Sequence, residues 1–407
     1  MIDLDSLART VTGRARDLFE PDLSSQHDEV VSALEGRRLL VIGGSGSIGS
    51  FTIRLLLQYR LRALHVVDHN ENSLAELARD IRASGLAGGA GEIRLLPLDF
   101  GSPTMARLLR EAGPYDRVLN FAALKHVRSE KDSVSLLQML ETNVISASRL
   151  LQVLKSTSPQ AGYFAVSTDK AADPSSLMGA SKRLMEHVMF AARGADQVDP
   201  AVTSARFANV AFSEGSLLDA VLRRVSKRQL VAVPSNTRRY FMSGNEAAEI
   251  SLLAAVCAPD QHLLVPMLAQ TDQLQELQEV VHRVLEHLGL RGREYHDESE
   301  ARANVETDYA TGACPVLVTQ LDTQGEKPYE EFLGVGETAV DIGLKHVRAV
   351  RHIPGPPGSL EVLVARLEGA ITVPTSPVTK DDIVRWISEA VPELSHAASE
   401  LTLDDRP

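Results

Sequence analysis

Leu39-Leu40-Val41-Ile42 runs directly into Gly43-Gly44-Ser45-Gly46-Ser47-Ile48-Gly49, and this junction decides the fold. The apolar run predicts a buried strand, and a helix-like segment begins at Ile48. Between them the glycines are spaced G-x-x-G-x-x-G, which permits a tight turn and close approach of the backbone to a pyrophosphate. The motif therefore predicts a dinucleotide-binding turn, although a glycine-rich turn without a ligand has the same spacing. The predicted contacts are Gly43, Gly46, Ser47, Ile48 and Gly49.

Outward from this junction, short β-branched runs alternate with longer amphipathic stretches as far as Phe207. The predicted strands are 39–42, 64–67, 93–96, 117–121, 163–167 and 204–207, and the predicted helices between them are 48–59, 73–83, 134–154 and 177–192. This alternation implies right-handed βαβ units. We predict an α/β protein with a Rossmann-type doubly wound parallel sheet and a smaller C-terminal substrate-binding lobe.

Composition narrows the possible functions. The chain has 407 residues, of which 44% are hydrophobic and 24% charged, as in ordinary globular proteins. Its formal net charge of −12 argues against a nucleic-acid or anionic-membrane partner. Two cysteines provide neither a disulfide framework nor a zinc ligand set, so we predict no metal. We find no signal-peptide pattern and no run of about 18 apolar residues, and we predict a cytoplasmic protein without membrane insertion.

Polar residues close the predicted strands where a dinucleotide would lie. Asp68 ends the second strand, where a carboxylate accepts hydrogen bonds from ribose hydroxyls and repels a 2′-phosphate. This favours NAD over NADP, although Arg79 lies near enough in sequence to weaken the preference. Asp99-Phe100 follows the third strand, beside the expected adenine ring. Asn120-Phe121-Ala122-Ala123 follows the fourth, where small residues let the nicotinamide half pass.

We divide the chain into four segments. They are an N-terminal helical arm (1–36), the NAD-binding Rossmann domain (37–207), a substrate-binding lobe interleaved with it (208–350) and a C-terminal extension (351–407). In the arm, Leu7, Val11, Ala15 and Leu18 have helical spacing and Pro21 ends the pattern. The arm packs either on its own domain or on another subunit.

Beyond Asn209 the alternation weakens. The predicted elements there are a helix 215–227, a strand 230–233, a basic-aromatic turn 237–242, a helix 274–288 and a strand 316–319. The segment 351–358 is rich in proline and glycine and is interpreted as a linker. Thr379-Lys380-Asp381-Asp382 predicts a capping box that opens a helix over 383–390.

The candidate catalytic residues follow the fifth predicted strand. Ser167-Thr168-Asp169-Lys170 places a carboxylate and an ammonium where ligands bind in open α/β sheets. On the next helix, Met178 and Lys182 are four residues apart and share one face. In a short-chain dehydrogenase the first of these positions is a tyrosine that accepts the hydroxyl proton, which a thioether cannot do. Either the protein is inactive or Asp169 and Lys170 do that work.

These motifs, in this order, resemble a known family. The chain resembles the nucleotide-sugar 4,6-dehydratases that act on UDP-N-acetylglucosamine. The segments that carry the resemblance are Ser167-Thr168-Asp169-Lys170-Ala171 and Met178-Gly179-Ala180-Ser181-Lys182-Arg183. These dehydratases are extended short-chain dehydrogenases of polysaccharide and glycan biosynthesis, and one branch carries methionine in place of tyrosine. The similarity covers roughly residues 37 to 333. Further matching segments are Ala122-Ala123-Leu124-Lys125-His126-Val127, Thr142-Asn143-Val144, Arg206-Phe207-Ala208-Asn209-Val210, Arg239-Tyr240-Phe241-Met242 and Gly325-Glu326-Lys327-Pro328-Tyr329-Glu330-Glu331.

The resemblance implies a reaction. NAD oxidises C4 of the hexose, water is lost across C5 and C6, and hydride returns to C6 to give a 4-keto-6-deoxy sugar. Asp169 and Lys170 take the acid and base steps in an order that the resemblance leaves open, Thr168 hydrogen-bonds the C4 oxygen, and Lys182 holds the cofactor ribose. The C4 hydroxyl proton goes to Asp169 or to a water. The methionine branch implies retention of configuration at C5.

The same resemblance implies the binding residues. Expected cofactor contacts are Ala122, Ala123, Lys125 and Asn143, and expected substrate contacts are Lys125, His126, Asn209, Ser216, Arg239, Met242 and Glu326. Arg239 has the fork geometry suited to a phosphate, or it is a solvent-facing charge. At three places the sequence differs from the family pattern, and these differences leave the identity of the sugar open. Thr323-Gln324 replaces an Arg-Pro that contacts pyrophosphate, Ala208 replaces a glycine, and Asn120 replaces a histidine.

Two rival readings remain open. A nucleotide-sugar 4-epimerase has the same fold, but it needs a base for the C4 hydroxyl and no Asp–Lys pair. A non-catalytic regulator that binds NAD or a UDP-sugar is favoured by Met178 alone. The family commonly pairs through two helices of the cofactor domain, which implies a homo-oligomer that uses the predicted helices 134–154 and 177–192.

Overall fold

The computed structural model describes residues 3–126, 130–192, 201–268, 273–320, 329, 331–372 and 377–396. The strands in these ranges are β1 Arg38–Ile42, β2 Ala63–Asp68, β3 Ile93–Pro97, β4 Arg117–Asn120, β5 Gly162–Val166, β6 Val202–Ala205, β7 Asn209–Val210, β8 Val231–Pro234, β9 Arg238–Met242, β10 His262–Pro266, β11 Leu274–Glu276, β12 Arg291–Tyr295, β13 Ala313–Thr319, β14 Ala339–Val340 and β15 Val347–Arg351. The α-helices are α1 Leu4–Thr12, α2 Glu20–Ser25, α3 His27–Leu34, α4 Ser47–Leu56, α5 Glu71–Ala83, α6 Pro103–Ala112, α7 Ser133–Leu140, α8 Ser146–Thr157, α9 Leu177–Ala191, α10 Leu217–Ser226, α11 Gly244–Cys257, α12 Leu277–His287, α13 Glu298–Ala310, α14 Ser359–Thr372 and α15 Lys380–Ala390.

The main sheet has the strand order β14-β15-β10-β6-β5-β4-β1-β2-β3. Strands β1 to β6 and β10 are parallel, whereas at one edge β15 pairs antiparallel with β10 and β14 pairs antiparallel with β15. The order 3-2-1-4-5-6 and the helices that connect these strands confirm the predicted doubly wound Rossmann-type sheet. Because the parallel strands are in register, the residues that follow β1, β2, β4, β5 and β6 meet at one edge of the sheet.

Helices cover both faces of this sheet, so its central strands are buried on both sides. In β1, Leu40 and Ile42 belong to one core and Leu39 and Val41 to the other. This alternation follows from the two-residue repeat of a strand. A run of apolar residues with no polar face is therefore the sequence of a central parallel strand, as the junction at 39–42 predicts.

The smaller lobe contains two three-stranded sheets in the described ranges. One has the order β11-β9-β7 and the other β12-β13-β8. The predicted turn over 237–242 is wrong, because Arg238–Met242 is a strand that pairs with β7 and β11. The helix predicted over 274–288 begins at Leu277, three residues later than predicted, because Leu274–Glu276 is a strand that pairs with β9.

The N-terminal arm packs on its own chain. Leu7 and Val11 are fully buried in the core of the smaller lobe, and α2 and α3 lie against α11. The arm's first helix ends at Gly13, which has a φ of +68° and donates its N–H to the Arg9 carbonyl. The prediction that Pro21 ends a helix is wrong. Pro21 lies in the first turn of α2, where its missing N–H has no partner to lose.

The C-terminal extension covers the helices predicted to pair with another subunit. The predicted helix 134–154 is α7 and α8 joined by a π-helical turn, Glu141–Ile145. Helices α14 and α15 pack against α7, the π-helical turn and α9. The capping box predicted at Thr379 is confirmed, although its helix begins at Lys380. In the ranges given above, none of the helices combines the length and apolarity required to cross a bilayer.

Candidate active site

The glycine turn joins β1 to α4. Gly43 has a φ of +70°, and a Cβ there would lie 2.6 Å from the Ala122 backbone nitrogen. The turn can therefore pass beside the chain that follows β4 only because residue 43 has no side chain. The Ser45 N–H donates to Asp68 Oδ2 at 3.1 Å, so the turn is tied to the end of β2.

Two features of this turn fit a dinucleotide. The Ser45 hydroxyl is buried and has no hydrogen-bond partner among the described residues. It lies in the turn before the N-terminus of α4, where Gly46 is the cap residue and makes no side-chain cap. Unused donors at a helix N-terminus are what a pyrophosphate requires. Asp68 is 8% exposed at the end of β2, as predicted for a ribose-binding carboxylate.

Ser47 and Ile48 open α4 and connect it to its surroundings. The Ser47 hydroxyl accepts a hydrogen bond from the Glu214 backbone N–H at 2.8 Å, which links the cofactor turn to the smaller lobe. Ile48 packs at the border of a core.

After β3, Asp99 Oδ1 accepts a hydrogen bond from the Gly101 N–H at 2.9 Å. Phe100 is 8% exposed within the other core, so of these two residues Asp99 has the exposed side chain.

The chain after β4 is held by two asparagines. Asn120 Oδ1 accepts from the Ala122 N–H at 3.0 Å, and its Nδ2 donates to the Tyr163 hydroxyl at 3.0 Å. Asn143 exchanges two hydrogen bonds of 2.9 Å with the backbone of Leu124. Sequence reasoning missed the role of Asn120, which it treated only as a departure from a family pattern.

Asn143 makes hydrogen bonds within the chain. Its side chain lies in the π-helical turn and is 2% exposed. Besides the bonds to Leu124, its Nδ2 donates to the Ser181 hydroxyl at 2.9 Å. Both Nδ2 donors are therefore used within the chain, Oδ1 accepts one bond, and the side chain positions the 121–126 segment against α9; its contact with a cofactor stays a prediction.

Ala123, Lys125 and His126 continue from Ala122 toward the smaller lobe. Lys125 and His126 are exposed. The carboxylates of Glu214 and Asp219 attract the Lys125 ammonium. The His126 imidazole lies against Gly215, where a Cβ would come within 2.4 Å of it. These two side chains therefore lie where the Rossmann sheet and the smaller lobe meet.

The predicted catalytic residues form a compact group after β5. Asp169 is 3% exposed, and its Oδ1 accepts hydrogen bonds from the Thr168 hydroxyl at 2.7 Å and the Lys170 N–H at 2.9 Å. The Lys170 ammonium lies 3.3 Å from the same oxygen. A buried carboxylate, an ammonium and a hydroxyl are thus within hydrogen-bond reach of one another, as acid–base chemistry requires.

Helix α9 packs directly against this group. A Cβ at Gly179 would lie 2.3 Å from the Lys170 carbonyl oxygen, so a glycine permits the close approach of the two backbones. Met178 is 5% exposed. The buried carboxylate of Glu130 accepts the Met178 N–H at 2.8 Å and fixes the start of the helix. Sequence reasoning missed Glu130, because no local pattern connects it to residue 178.

Lys182 lies one turn further along α9 and is 4% exposed. Its ammonium donates to the Val166 carbonyl at 2.6 Å, at the end of β5. Burial lowers the pKa of Lys182 to about 8, and the negative charge of Glu186 opposes this effect. The side chain predicted to hold the cofactor ribose thus reaches the edge of the sheet where the glycine turn also lies.

Behind the catalytic residues lies a group of buried charges, called here the paired cluster and formed by Arg183, Glu186, Arg206 and Glu337. Arg206 is fully buried and bridges the two glutamates, with ion pairs of 2.6 Å to Glu186 and 2.5 Å to Glu337. Arg183 contacts the same glutamates at 3.1 and 2.8 Å. The Ser167 hydroxyl donates to Glu186 at 2.5 Å, so the cluster reaches the residue before Thr168.

Of the predicted substrate residues, Asn209 and Arg239 lie on neighbouring strands. Asn209 on β7 pairs with Phe241 of β9, and its Nδ2 donates to the Tyr240 carbonyl at 3.3 Å. Arg239 on β9 is 8% exposed and donates to the Arg238 carbonyl at 2.8 Å. The Arg239 guanidinium is therefore held against the sheet, not extended into solvent.

One of the other substrate predictions is corrected by the structure. Met242 is fully buried in a core, so its side chain supports β9 and is closed to a ligand. Ser216 lies at the start of α10, where its hydroxyl accepts the Asp219 N–H at 3.3 Å, and its contact with the substrate stays a prediction. Glu326 lies outside the described residues.

A doubly wound sheet with a glycine turn after β1, an Asp–Lys pair after β5 and a lysine on the next helix defines an extended short-chain dehydrogenase fold. The family model described as polysaccharide biosynthesis protein matches residues 39–351, and the chain belongs to that family. The matched range contains each of the catalytic and cofactor residues predicted above.

Several curated proteins are similar to the chain. It is 30% identical over 62% of its length to the uncharacterized membrane protein MJ1061 of Methanocaldococcus jannaschii, covering 73% of that protein. It is 24% identical over 81% of its length to the probable polysaccharide biosynthesis protein EpsC of Bacillus subtilis, of which it spans 52%. An inverting UDP-N-acetylglucosamine 4,6-dehydratase of Campylobacter jejuni is 25% identical to the chain, over 53% of the chain and 62% of that enzyme. A UDP-glucose 4-epimerase of Rickettsia akari is 24% identical, over 54% of the chain and 62% of that enzyme.

Solved structures share the fold. Pen from Bacillus thuringiensis superposes with a TM-score of 0.63 at 20% identity, over 78% of this chain and 88% of that one. The dTDP-glucose 4,6-dehydratase DesIV from Streptomyces venezuelae, solved with NAD bound, superposes with a TM-score of 0.55 at 18% identity, over 83% and 100%. These similarities confirm the Rossmann-type fold that the sequence predicts.

Proposed function

We propose that the protein is an NAD-dependent nucleotide-sugar 4,6-dehydratase that converts UDP-N-acetylglucosamine to its 4-keto-6-deoxy derivative. The observation that carries the proposal is the buried Asp169 carboxylate, which contacts both the Thr168 hydroxyl and the Lys170 ammonium at the carboxyl end of β5. Removal of water across C5 and C6 needs an acid for the leaving hydroxyl and a base for the C5 proton. A neighbouring carboxylate and amine supply both.

The alternative of a 4-epimerase is weaker on the same observation. Epimerisation at C4 requires a group that takes and returns the C4 hydroxyl proton, but no acid–base pair for C5 and C6. Relatives named as dehydratase and as epimerase have nearly equal identity to the chain, so sequence similarity does not separate the two. The Asp169–Lys170 pair supports the dehydratase.

Thr168 and Asp169 together replace the missing tyrosine in this proposal. Met178 cannot accept a proton, but the Thr168 hydroxyl already donates to Asp169 at 2.7 Å. A C4 hydroxyl that hydrogen-bonds to Thr168 would pass its proton through the threonine oxygen to the Asp169 carboxylate. Asp169 would then be protonated when the C6 hydroxyl must leave, and it would give that proton to form water.

Lys170 completes the proton balance. In this proposal Lys170 is the base that removes the C5 proton after C4 has become a ketone, and it returns a proton to C5 at the end. Both side chains then regain their starting states, and the net change is the loss of one water. Return to the same face of C5 gives retention of configuration, which the methionine at position 178 favours by family resemblance.

The residues around the glycine turn fit NAD, with Asp68 at the adenosine ribose and Lys182 at the nicotinamide ribose. When bound, NAD would accept hydride from C4 and return it to C6. Asp68 carries the preference for NAD over NADP, since a 2′-phosphate would meet a buried carboxylate. We assign Arg239 and Asn209 to the UDP moiety.

The test is mass spectrometry of the protein incubated in heavy water with UDP-N-acetylglucosamine and NAD. Loss of one water with gain of one deuterium is expected, since the C5 proton exchanges with solvent through Lys170. Unchanged mass with conversion to the 4-epimer would identify an epimerase. Bound NAD and UDP-sugar with no conversion of any kind would identify a non-catalytic binding protein.

Variants test the assigned roles. Asp169→Asn and Lys170→Ala are each expected to lower kcat by about 10³-fold, and Thr168→Val by about 10²-fold, since each removes a proton-transfer group. Asp381→Asn is a matched control, because Asp381 is an exposed carboxylate that also neighbours a lysine in sequence. Full activity of Thr168→Val would overturn the relay while leaving the dehydratase assignment in place.

A further inference from the structure

A second candidate site lies in the smaller lobe, between the C-terminal end of α10 and the outer side of α13. A cavity of about 500 Å³ opens there. Three of its lining side chains are the arginines Arg224, Arg228 and Arg302. Set against the Glu298 partner of Arg302 and the Glu306 carboxylate of the same lining, these arginines leave a local excess of positive charge in a chain with a net charge of −12.

Two of these arginines lack a compensating carboxylate. Arg302 is paired with Glu298 on its own helix. Arg224 donates to the Gln229 side-chain oxygen at 3.0 Å, and the Arg228 guanidinium lies 5.4 Å from the centre of the Tyr309 ring. Within the described ranges neither Arg224 nor Arg228 forms an ion pair. Their charge is therefore available to a ligand.

The backbone places Arg228 in an unusual position. Helix α10 ends with the Gln229 N–H bonded to the Arg224 carbonyl at 2.9 Å, and Arg228 follows the helix with a φ of +51°. A left-handed residue after a helix is usually glycine, because a Cβ is disfavoured there. Arginine in this position turns its side chain into the cavity at a conformational disadvantage.

We propose that this cavity binds a phosphorylated small molecule of nucleotide or sugar-phosphate size, at a site distinct from the dinucleotide turn. Guanidinium groups bind phosphate oxygens through paired hydrogen bonds. Leu230 and Val305 give the cavity apolar walls for a ring, and the Glu306 carboxylate in the same lining accepts hydrogen bonds from ligand hydroxyls. A volume of about 500 Å³ is typical of small-molecule sites.

The site is separate from the proposed catalytic centre. The Glu214 N–H, just before the other end of α10, donates to Ser47 of the glycine turn, and the ten residues Leu217–Ser226 make a helix about 15 Å long between that contact and the cavity. The concave shape favours a small molecule over a membrane surface, which would need apolar side chains projecting outward beside the basic ones. The ligand class does not depend on the proposed dehydratase activity.

The first experiment is calorimetric titration of the whole protein with inorganic pyrophosphate, in the presence of excess NAD and UDP to occupy the other phosphate sites. We expect one binding event that is weakened roughly tenfold or more by Arg228→Gly and by Arg224→Ala, since each loses charge-assisted hydrogen bonds. Lys227→Ala is the matched control. Lys227 is a neighbouring exposed cation outside the cavity lining, and its loss should leave the affinity unchanged.

The choice of Arg228→Gly separates binding from folding. Because glycine is favoured at this φ, the variant should melt at or above the temperature of the parent protein, so lost binding cannot follow from unfolding. Equal weakening by Lys227→Ala would reduce the cavity to a diffuse basic surface and overturn the proposal. Binding to vesicles of anionic phospholipid without binding to pyrophosphate would overturn it as well.

Discussion

Two groups of charged residues in this protein differ in charge balance. The paired cluster behind the catalytic residues has two arginines for its two glutamates, whose side chains are buried, and Arg183 also pairs with the partly exposed Glu393 at its edge. The second group lies beneath the N-terminal arm and is called here the acidic cluster, formed by Asp17, Glu246 and Glu249 with a single Arg14. Arg14 is bound to Glu246 by two hydrogen bonds of 2.6 and 2.5 Å.

The consequence is that burial acts differently on the two groups. Burial raises the pKa of Glu186, but the charges of Arg206 and Arg183 outweigh it and hold that pKa well below its usual range. Burial raises the pKa of Glu249 to about 8, and the charges of Asp17 and Glu246 add to the effect. Glu186 is therefore held in its charged form by its arginines, whereas Glu249, whose pKa is raised by burial and by neighbouring carboxylates, retains a proton near neutral pH.

The largest effect is expected when the paired cluster loses its central cation. Arg206→Met leaves Glu186 and Glu337 buried with incomplete compensation, which should lower the free energy of unfolding by about 4 kcal/mol. Urea titration followed by circular dichroism measures this. Arg223→Ala is the control, because its ion pair with Asp219 is exposed on the arginine side and solvent screens it, so its loss should change stability far less than Arg206→Met.

A double variant tests whether the uncompensated carboxylate causes the loss of stability in Arg206→Met. Arg206→Met with Glu186→Gln removes one uncompensated carboxylate, and it should recover part of the stability that Arg206→Met loses. Equal stability of the single and double variants would mean that packing, and not charge, accounts for the loss. The double variant also provides a folded protein if the single one fails to fold.

In the acidic cluster, removal of the Glu249 carboxyl group should raise the stability of the protein instead of lowering it. Since the folded pKa of Glu249 is raised from 4.5 to about 8, the folded state holds a proton that the unfolded chain releases. Its contribution is present below pH 4.5 and is lost as the pH rises through 8. Glu249→Gln should therefore be more stable than the parent by a few kcal/mol at pH 8, and equal to it near pH 4.

Glu246→Gln is the matched control for this variant. Glu246 lies on the same helix but accepts hydrogen bonds from Arg14, the Leu18 N–H and the Ser243 N–H, so its substitution should destabilise the protein at pH 8. Unfolding curves of the two variants between pH 4 and 9 should diverge in sign. A Glu249→Gln curve parallel to that of the parent would contradict the raised pKa.

Much of the fold follows from local patterns, but these clusters do not. The strands β1 to β6 are predicted within two residues at each end, because buried parallel strands are short apolar runs between turn residues. Helix α11 was missed. It is buried all round, between the sheet and the N-terminal arm, and so lacks the amphipathic repeat by which a surface helix is recognised.

In the candidate site too, contacts between residues close in sequence are predicted, and contacts between distant residues are not. Thr168, Asp169 and Lys170 are consecutive, so one strand end brings them together and the sequence predicts their proximity. Arg206 meets Glu337 only because β6 ends beside a loop far along the chain, and one sequence carries no signal for that contact. Met242 was assigned to the substrate because it belongs to the segment 239–242 that resembles the family, and that segment, predicted as a turn, is a strand whose last residue is buried in a core.

A smaller effect should appear where the paired cluster meets the catalytic residues. Ser167→Ala removes the hydroxyl that donates to Glu186 at 2.5 Å and should cost about 1 kcal/mol of stability. Because Ser167 precedes Thr168, we also expect turnover to fall. Ser204→Ala is the control, since the buried Ser204 hydroxyl donates to the Ala165 carbonyl and does not contact the cluster. Equal turnover in the two variants would remove any positioning role of the paired cluster.

The smallest effect tests whether neighbouring charge, beyond burial, sets the acidic cluster apart. Asp17 is the first of the charges that raise the pKa of Glu249, and its own carboxylate accepts the Ser243 hydroxyl at 2.9 Å. Asp17→Asn keeps that acceptor and removes the charge, so the pH at which the protein loses Glu249-linked stability should fall by about half a unit. Asp28→Asn, at an exposed position of α3, should leave that pH unchanged. If both variants behave like the parent, burial alone protonates Glu249, and the contrast between the clusters rests on the arginines of the paired one.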